Sequence, residues 1–384
     1  MTDGAVLRLD FPACLAASFP EDVPAAVRAV DCVLEAVRGR DVVSLAAHSP
    51  ELAAFDWTSY LRCSIARMAH IAAALRRRGI RTGRLLDYGS YFGNLSLMFA
   101  GAGFQVDAID SYRAYGTAFE PVQDLLRKQG VALHDFDSDG RDLHGLPADT
   151  YDVVLCLGVI EHVPHTPRML LQSLTRVVKP GGCLVIDTPN HAYLYQRQRL
   201  TSGESVMANL AAQFRAEPPF EGHHREYTPA EIVWMLEQSG QRDISVEMFN
   251  YSVYALPVLT GTDLANHWAT ALDPTAREII MAVSLKGGAP KIDVPLRSPI
   301  EVRALIEETE QPWVDSVPAD VRQKLATESA ASLGAGKLEE HYVGEIARRD
   351  RDIAAAHEQI GALQRALDTT ISARLRRAFT RLFN

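Results

Sequence analysis

Apolar residues recur at helical spacing through Ala25–Val37 and Leu61–Arg77, and Gly79 is placed to stop the second stretch. The period then changes. Short apolar runs at Arg84–Tyr88, Gln105–Asp110, Val131–Phe136, Tyr151–Val159 and Cys183–Thr188 alternate with helical patterns at Leu95–Ala102, Ala114–Gln129 and Pro167–Val178. Such alternation predicts an α/β, doubly wound architecture: a mostly parallel sheet covered by helices on both faces. Val153–Leu157 and Leu184–Ile186 are almost wholly apolar, as central parallel strands should be.

Regularity lapses after Thr188. Residues 190–222 mix polar and aromatic side chains and carry Pro218 and Pro219, which reads as a partly helical insertion, a lid. Thr228-Pro229-Ala230-Glu231 then has the order of a helix start, with Thr228 as cap and Glu231 as its reciprocal partner. Strand-like runs at Ile244–Tyr251 and Glu278–Leu285 suit an antiparallel edge. Residues 287–335 read as a connector with one helical patch at Pro299–Glu308. Beyond Tyr342, Ile346, Ile353, Ile360 and Leu367 recur every seven residues, with Ala356 and Leu363 in the second seam position and Arg349 interrupting it. This predicts a short coiled coil, and with it a homo-oligomer. The expected organisation is an N-terminal helical segment over 1–80, a sheet domain over 81–286, the connector over 287–335, and a coiled coil with a basic amphipathic end over 336–384.

Length and composition narrow the class. The chain has 384 residues, 47% hydrophobic and 23% charged, enough for a full core and far from a disordered composition. A net charge of −9 argues against a general nucleic-acid binder. Cys14, Cys32, Cys63, Cys156 and Cys183 are scattered and form no C-x-x-C pair, so neither a disulfide framework nor a cysteine metal site is expected. The N-terminus lacks a basic flank leading into an apolar run, and no apolar stretch is long enough to span a bilayer. A cytoplasmic protein is expected. At the C-terminus Arg374, Arg376, Arg377 and Arg381 oppose Ile371, Leu375, Phe379 and Leu382 on a helical projection. Such a helix suits docking on a partner copy, or contact with an anionic surface that would make the protein peripheral to the inner membrane.

The candidate chemistry begins at Asp87-Tyr-Gly89-Ser-Tyr-Phe-Gly93-Asn, a glycine loop between a strand and a helix. Glycines let backbone approach a ligand, and a helix N-terminus offers free N–H groups. Asp110 ends the next strand, where it can accept hydrogen bonds from ribose hydroxyls. The dinucleotide fingerprint does not fit, because Tyr91 stands where a glycine is needed. A cofactor without a pyrophosphate but with a positively charged amino acid moiety fits better.

The series Asp87-x-Gly89-x-x-x-Gly93, Asp110, Tyr151-Asp-Val-Val-Leu-Cys-Leu-Gly-Val-Ile-Glu-His162 and Lys179-Pro-Gly-Gly182 resembles the ordered motifs of class I S-adenosylmethionine-dependent methyltransferases, over about residues 80–285. The resemblance implies a Rossmann-like, seven-stranded sheet and S-adenosylmethionine as cofactor. It implies that Asp87, Gly89 and Gly93 face the methionine part, with Ser90, Asn94 and Leu157 beside them. Asp110 would hold the ribose, with Ser111 and Tyr112 near the adenine. Asp137 or Asp139 would meet the adenine amino group. Lys179–Gly182 reads as a helix stop and turn before the fifth strand.

Acceptors bind beyond the carboxyl ends of the strands. Glu161-His162 and the segment Gly222-His223-His224-Arg225-Glu226-Tyr227 are the candidates there. Methyl transfer from a sulfonium is an in-line displacement, and a hydroxyl acceptor also needs a base; His223, His162 and Glu161 are the catalytic candidates. His223 and Arg225 could equally tie the lid to a helix terminus. Asn190, Tyr193, His224 and Arg225 are candidate acceptor contacts, with Asn190 alternatively a turn residue and Tyr193 and Tyr195 alternatively packing. The Glu161-His162 segment is similar to that of ubiquinone-pathway O-methyltransferases, some of which hold a divalent metal with acidic residues around this pair. Position 158 is glycine where that pattern has a carboxylate, so no metal is expected. Two function classes follow: O-methylation of a sugar, glycan or other small hydroxyl compound, or a scaffold acting through its coiled coil on a degenerate methyltransferase fold.

Overall fold

A computed structural model of the chain describes residues 6–8, 10–40, 56–113, 115–135, 143, 145–164, 166–216, 220, 222–255, 258–290, 295–307, 312–315 and 317–332. In chain order the strands are β1 (Val6–Arg8), β2 (Arg84–Tyr88), β3 (Gln105–Asp110), β4 (Ala132–Asp135), β5 (Tyr151–Leu157), β6 (Val178–Pro189), β7 (Gln241–Phe249), β8 (Val258–Thr260), β9 (Ile279–Lys286) and β10 (Ile306–Glu307). The helices are α1 (Phe11–Ser18), α2 (Val23–Ala36), α3 (Trp57–Arg77), α4 (Asn94–Gly101), α5 (Glu120–Lys128), α6 (Arg168–Val177), α7 (Leu194–Thr201), α8 (Leu210–Arg215), α9 (Pro229–Gln238), α10 (Gly261–Leu272), α11 (Pro299–Arg303), α12 (Pro312–Asp315) and α13 (Ala319–Ser332). The chain divides into two compact units, Met1–Ala326 and Thr327–Asn384. Of the second, only the end of α13 is described, so the heptads and the basic amphipathic end lie outside the described residues.

The main sheet runs β10-β7-β9-β6-β5-β2-β3-β4. Strands β4, β3, β2, β5 and β6 are mutually parallel, while β9 runs antiparallel between β6 and β7. The expected seven strands are present, and the two-residue β10 adds an eighth beside β7, inside what the sequence suggests is helix. Lys179–Gly182 lies within β6 rather than in a turn before it. The ladder to β5 holds Val178 opposite Tyr151 and resumes at Cys183 opposite Val153, with a shift of register between. Glycine and proline mark that irregularity rather than ending the strand.

Alternation along each strand divides the core. Leu85, Val153, Leu155, Cys183 and Val185 pack on one face with Val30, Met68, Ile71 and Leu75 of α2 and α3. Leu86, Val154, Cys156, Leu184 and Ile186 pack on the other with Leu170, Leu174, Val233 and Leu236 of α6 and α9. The helices of the N-terminal segment are therefore part of the sheet's own cover. A smaller apolar cluster joins Leu7, Leu259, Leu264, Trp268, Trp313 and Leu325 around the two-stranded β1–β8 ladder. Among the described residues, no helix is long and apolar enough to cross a membrane.

Candidate active site

Chain order reverses between β2 and β5: from β2 the chain steps outward to β3 and β4, then returns to β5. Such a switch point opens a crevice beyond the carboxyl ends of the two strands. The glycine loop sits there. Gly89 has φ +77, and a Cβ added to it would stand 2.3 Å from Val159 Cγ2, just past the end of β5. Only glycine satisfies both the backbone angle and the approach. The N–H groups of Gly89 and Ser90 donate to the Ile109 carbonyl, tying the loop to β3. Gly93, at φ +66, caps α4. Tyr91 also has positive φ, +46, which is uncommon for a bulky residue, and its ring packs among Trp57, Phe92, Tyr115 and Phe119.

Two carboxylates frame this loop. Asp87 is buried and accepts a hydrogen bond from the Ser96 hydroxyl at 2.5 Å. Burial pushes its carboxyl up to about 6, the Ser96 bond opposes that, and nearby Asp110 adds to it. Asp110 accepts from the Tyr91 and Ser111 N–H groups, each at 2.7 Å, and from the Tyr115 hydroxyl. A carboxylate has about four lone-pair directions, so one remains for a ligand hydroxyl. Burial raises Asp110 as well, against those three hydrogen bonds. Among the described residues neither acid is in an ion pair with lysine, arginine or histidine. Two buried carboxylates without a counter-cation, beside a close backbone turn and an aromatic wall, fit a nucleoside cofactor that brings its own positive charge.

The other expected cofactor contacts are placed variously. Ser90 and Tyr112 share a buried hydrogen bond of 2.6 Å between their hydroxyls. The Asn94 amide donates to Ser64 Oγ and Met68 Sδ on α3, which turns its side chain away from the crevice. Leu157 ends β5. Asp137 and Asp139 lie outside the described residues. Asp135, which the sequence reading passes over, ends β4 opposite Asp110 in register.

On the β5–β6 side, Glu161 is 2% exposed and accepts from the Thr188 hydroxyl at 3.1 Å. Its backbone carbonyl accepts from the His224 N–H at 2.7 Å, which docks the segment 222–227 onto the turn after β5. That docking brings the His223 ring to 4.8 Å from the His162 ring, edge to face. His223 Nδ1 lies 2.8 Å from Glu226 Oε1. Burial works against a charge on His223, but Glu226 and then Glu161 outweigh it and hold the imidazole above its ordinary range. Glu161 is pushed up to about 7, chiefly by burial. Among the described residues, Glu161, His162 and His223 also form a group able to share one cation, with ligand atoms within 4.8 Å of one another.

The expected acceptor contacts divide between site and scaffold. Tyr193 is half-buried at the start of α7, with its ring 5.3 Å from that of Tyr195. The fully buried Asn190 donates to the carbonyls of Thr275 and Arg277 and accepts from the Ala192 N–H, so its side chain holds the turn after β6. His224 Nε2 meets the Phe220 carbonyl at 2.9 Å. Arg225 lies over the Tyr227 ring and pairs with Glu231 at the start of α9, fastening the helix terminus.

Several residues at the same end of the sheet escape the sequence reading. Arg67 of α3 reaches Asp187 at the end of β6, with Nε 2.6 Å from Oδ2. The Tyr251 ring lies against the guanidinium, and Glu278 accepts from Tyr251, Ser252 and the Ser252 hydroxyl nearby. Tyr115 and Glu226 complete the set. Arg67 meets Asp187 only through the fold, whereas Tyr115 and Glu226 act on near neighbours in the chain, Asp110 and His223.

Residues 58–246 match a family model described as a methyltransferase domain. Among curated relatives, the ubiquinone biosynthesis O-methyltransferase of Aeromonas salmonicida is 31% identical over 42% of this chain and 65% of its own length. That of Xanthomonas axonopodis is 29% identical over 45% of this chain and 67% of its own length. The Burkholderia ambifaria protein of the same name is 36% identical over 29% of this chain and 48% of its own. The chain thus spans roughly half to two thirds of these relatives. A solved magnesium protoporphyrin IX methyltransferase from Synechocystis aligns at 16% identity over 60% of this chain and 86% of that one, with a TM-score of 0.39. The motif order and the switch-point loop agree with that match: residues 58–246 are similar to a methyltransferase domain.

Proposed function

We propose that the chain is an O-methyltransferase acting on a small hydroxyl acceptor, a sugar, a glycan or a related compound. The observation that carries this reading is the convergence of Glu161, His162 and His223 on the acceptor side of a crevice whose other side is the Asp87–Asp110 loop. The curated relatives named above, all O-methyltransferases of ubiquinone biosynthesis, support oxygen as the acceptor atom.

S-adenosylmethionine supplies an activated methyl on a sulfonium, whose carbon–sulfur bonding pair stays on sulfur as the methyl leaves. The chain's own residues do the rest. Asp87 and Asp110 hold the cofactor's positive end and ribose, and the loop between them aligns it. Glu226 fixes the His223 ring through Nδ1, so the proton sits there and Nε2 presents a lone pair. That nitrogen takes the acceptor hydroxyl's proton as oxygen forms its bond to the methyl. Glu161 stabilises the resulting imidazolium.

His223→Ala tests the base. Turnover in a methyl-transfer screen over sugars and small hydroxyl compounds should fall by about 10²- to 10⁴-fold, the usual range for general-base catalysis. Affinity for S-adenosylmethionine should hold. Unchanged turnover removes His223 as the base.

A further inference from the structure

Methyl transfer makes no use of the buried pair Arg67–Asp187, and its geometry is unusual for a structural ion pair. Asp187 is fully buried at the carboxyl end of β6. Arg67 Nε approaches its Oδ2 to 2.6 Å, yet the N–H is not aimed at the oxygen. Neither carboxylate oxygen has a donor in good hydrogen-bond geometry, although the Arg67 side chain and the Gly158 backbone lie beside them and favour the charged form, and Arg67 Nε has no well-aimed acceptor. A buried carboxylate in a finished core is normally surrounded by well-aimed donors, so one without them at the strand ends calls for an explanation.

The surroundings supply one. A Cβ added at Gly158 would stand 3.7 Å from each Arg67 terminal nitrogen and 3.7 Å from Glu161 Oε1. The Tyr251 ring lies 5.3 Å from the guanidinium carbon, and Tyr60, one heptad before Arg67 on α3, is hydrogen-bonded to it. Glu161 and Glu278 both act on Arg67, so three carboxylates face one cation.

We propose that Arg67 and Asp187 form the acceptor's recognition subsite, and that the acceptor is an uncharged ring with neighbouring hydroxyl groups, a sugar unit. The inference rests on the O-methyltransferase reading and names the substrate class within it. Adjacent ring hydroxyls each give one hydrogen and take one, which matches a carboxylate whose donors are poorly aimed beside a guanidinium whose Nε–H has no well-aimed acceptor. The tyrosine rings offer apolar faces to the ring's C–H groups. An anionic acceptor would meet three carboxylates and one cation, which disfavours it.

The test uses the full chain and two steps. S-adenosylhomocysteine is titrated first by calorimetry. Ligand-observed NMR then follows a panel of methyl pyranosides on the loaded protein, with catechol and benzoate as probes of other chemistry. A pyranoside should bind, more tightly than catechol or benzoate. In Arg67→Met/Asp187→Leu its affinity should fall at least about tenfold, equivalent to ~1.4 kcal/mol. The double variant should keep its S-adenosylhomocysteine affinity and melting temperature, because apolar replacement of both members of a buried pair is often neutral. Asp187→Asn, which preserves shape, should show the same loss and stands in if the double variant does not fold. Loaded wild-type protein that binds no pyranoside, or prefers catechol or benzoate, overturns the inference. So does a variant that keeps pyranoside affinity, or loses cofactor affinity and melting temperature along with it. Wild-type protein that binds no S-adenosylhomocysteine overturns the methyltransferase reading itself, and this inference with it.

Discussion

At the scale of residues, the site is made of groups that a folded interior normally avoids. Gly89 combines positive φ with an approach that leaves no room for a Cβ. Gly89→Ala should weaken S-adenosylmethionine binding by at least about tenfold, a loss of ~1.4 kcal/mol, as read by calorimetry, and an unchanged affinity would contradict the role given to the loop. Glu161 makes a pH-dependent case. Burial raises its carboxyl from 4.5 to about 7, so the folded chain holds this proton more tightly than the unfolded chain does. Its contribution to stability is therefore present below pH 4.5 and is lost as pH rises toward 7. Glu161→Gln has no proton to lose. In urea denaturation it should gain on wild type between pH 5 and pH 8 by up to about 3 kcal/mol, at about 1.4 kcal/mol per pH unit. An equal difference at both pH values would contradict that account. Asp87, Gly89, Gly93 and Asp110 were legible in the sequence because a strand, a turn and a helix place them locally. Arg67 was not, because it meets Asp187 only after α3 packs across the sheet; Tyr115 and Glu226 act on near neighbours, Asp110 and His223, but no periodicity says that those side chains meet.

At the scale of elements, α3 serves both core and crevice. Met68, Ile71 and Leu75 pack in the core under the sheet, while Arg67 reaches Asp187 at the end of β6. Its helical period was plain in the sequence, but periodicity cannot say which neighbour a face meets. Helix α9 was legible to its cap. Thr228 accepts from the Glu231 N–H and Glu231 returns a bond to the Thr228 N–H, as the residue order implies. Thr228→Ala should cost about 1 kcal/mol of stability. Because the same terminus anchors Arg225, it should also reduce turnover more than cofactor affinity. Thermal denaturation and a KM-against-kcat comparison separate the two effects; no stability loss would show that the cap is idle. Lys179–Gly182 shows the limit of turn signals, since the partner strand kept the chain in the sheet through a change of register.

At the scale of the whole molecule, sheet order does what no single motif does. The reversal between β2 and β5 puts the glycine loop and the Glu161 turn at one mouth, and the return of β6, β7 and β9 brings Asp187, Glu278 and Tyr251 to the same end. Strand–helix alternation made the parallel half legible. The two-residue β10 was not, because a strand so short has no period to read. The central claim is that this mouth binds S-adenosylmethionine through Asp110. Calorimetric titration of the full chain, wild type and Asp110→Asn, measures it directly. Wild type should bind one cofactor per chain and, at about a hundredfold excess over Kd, gain about 2.7 kcal/mol of stability. The variant should bind at least about tenfold more weakly, a loss of ~1.4 kcal/mol. No binding to wild type, or equal binding to both proteins, would contradict the account.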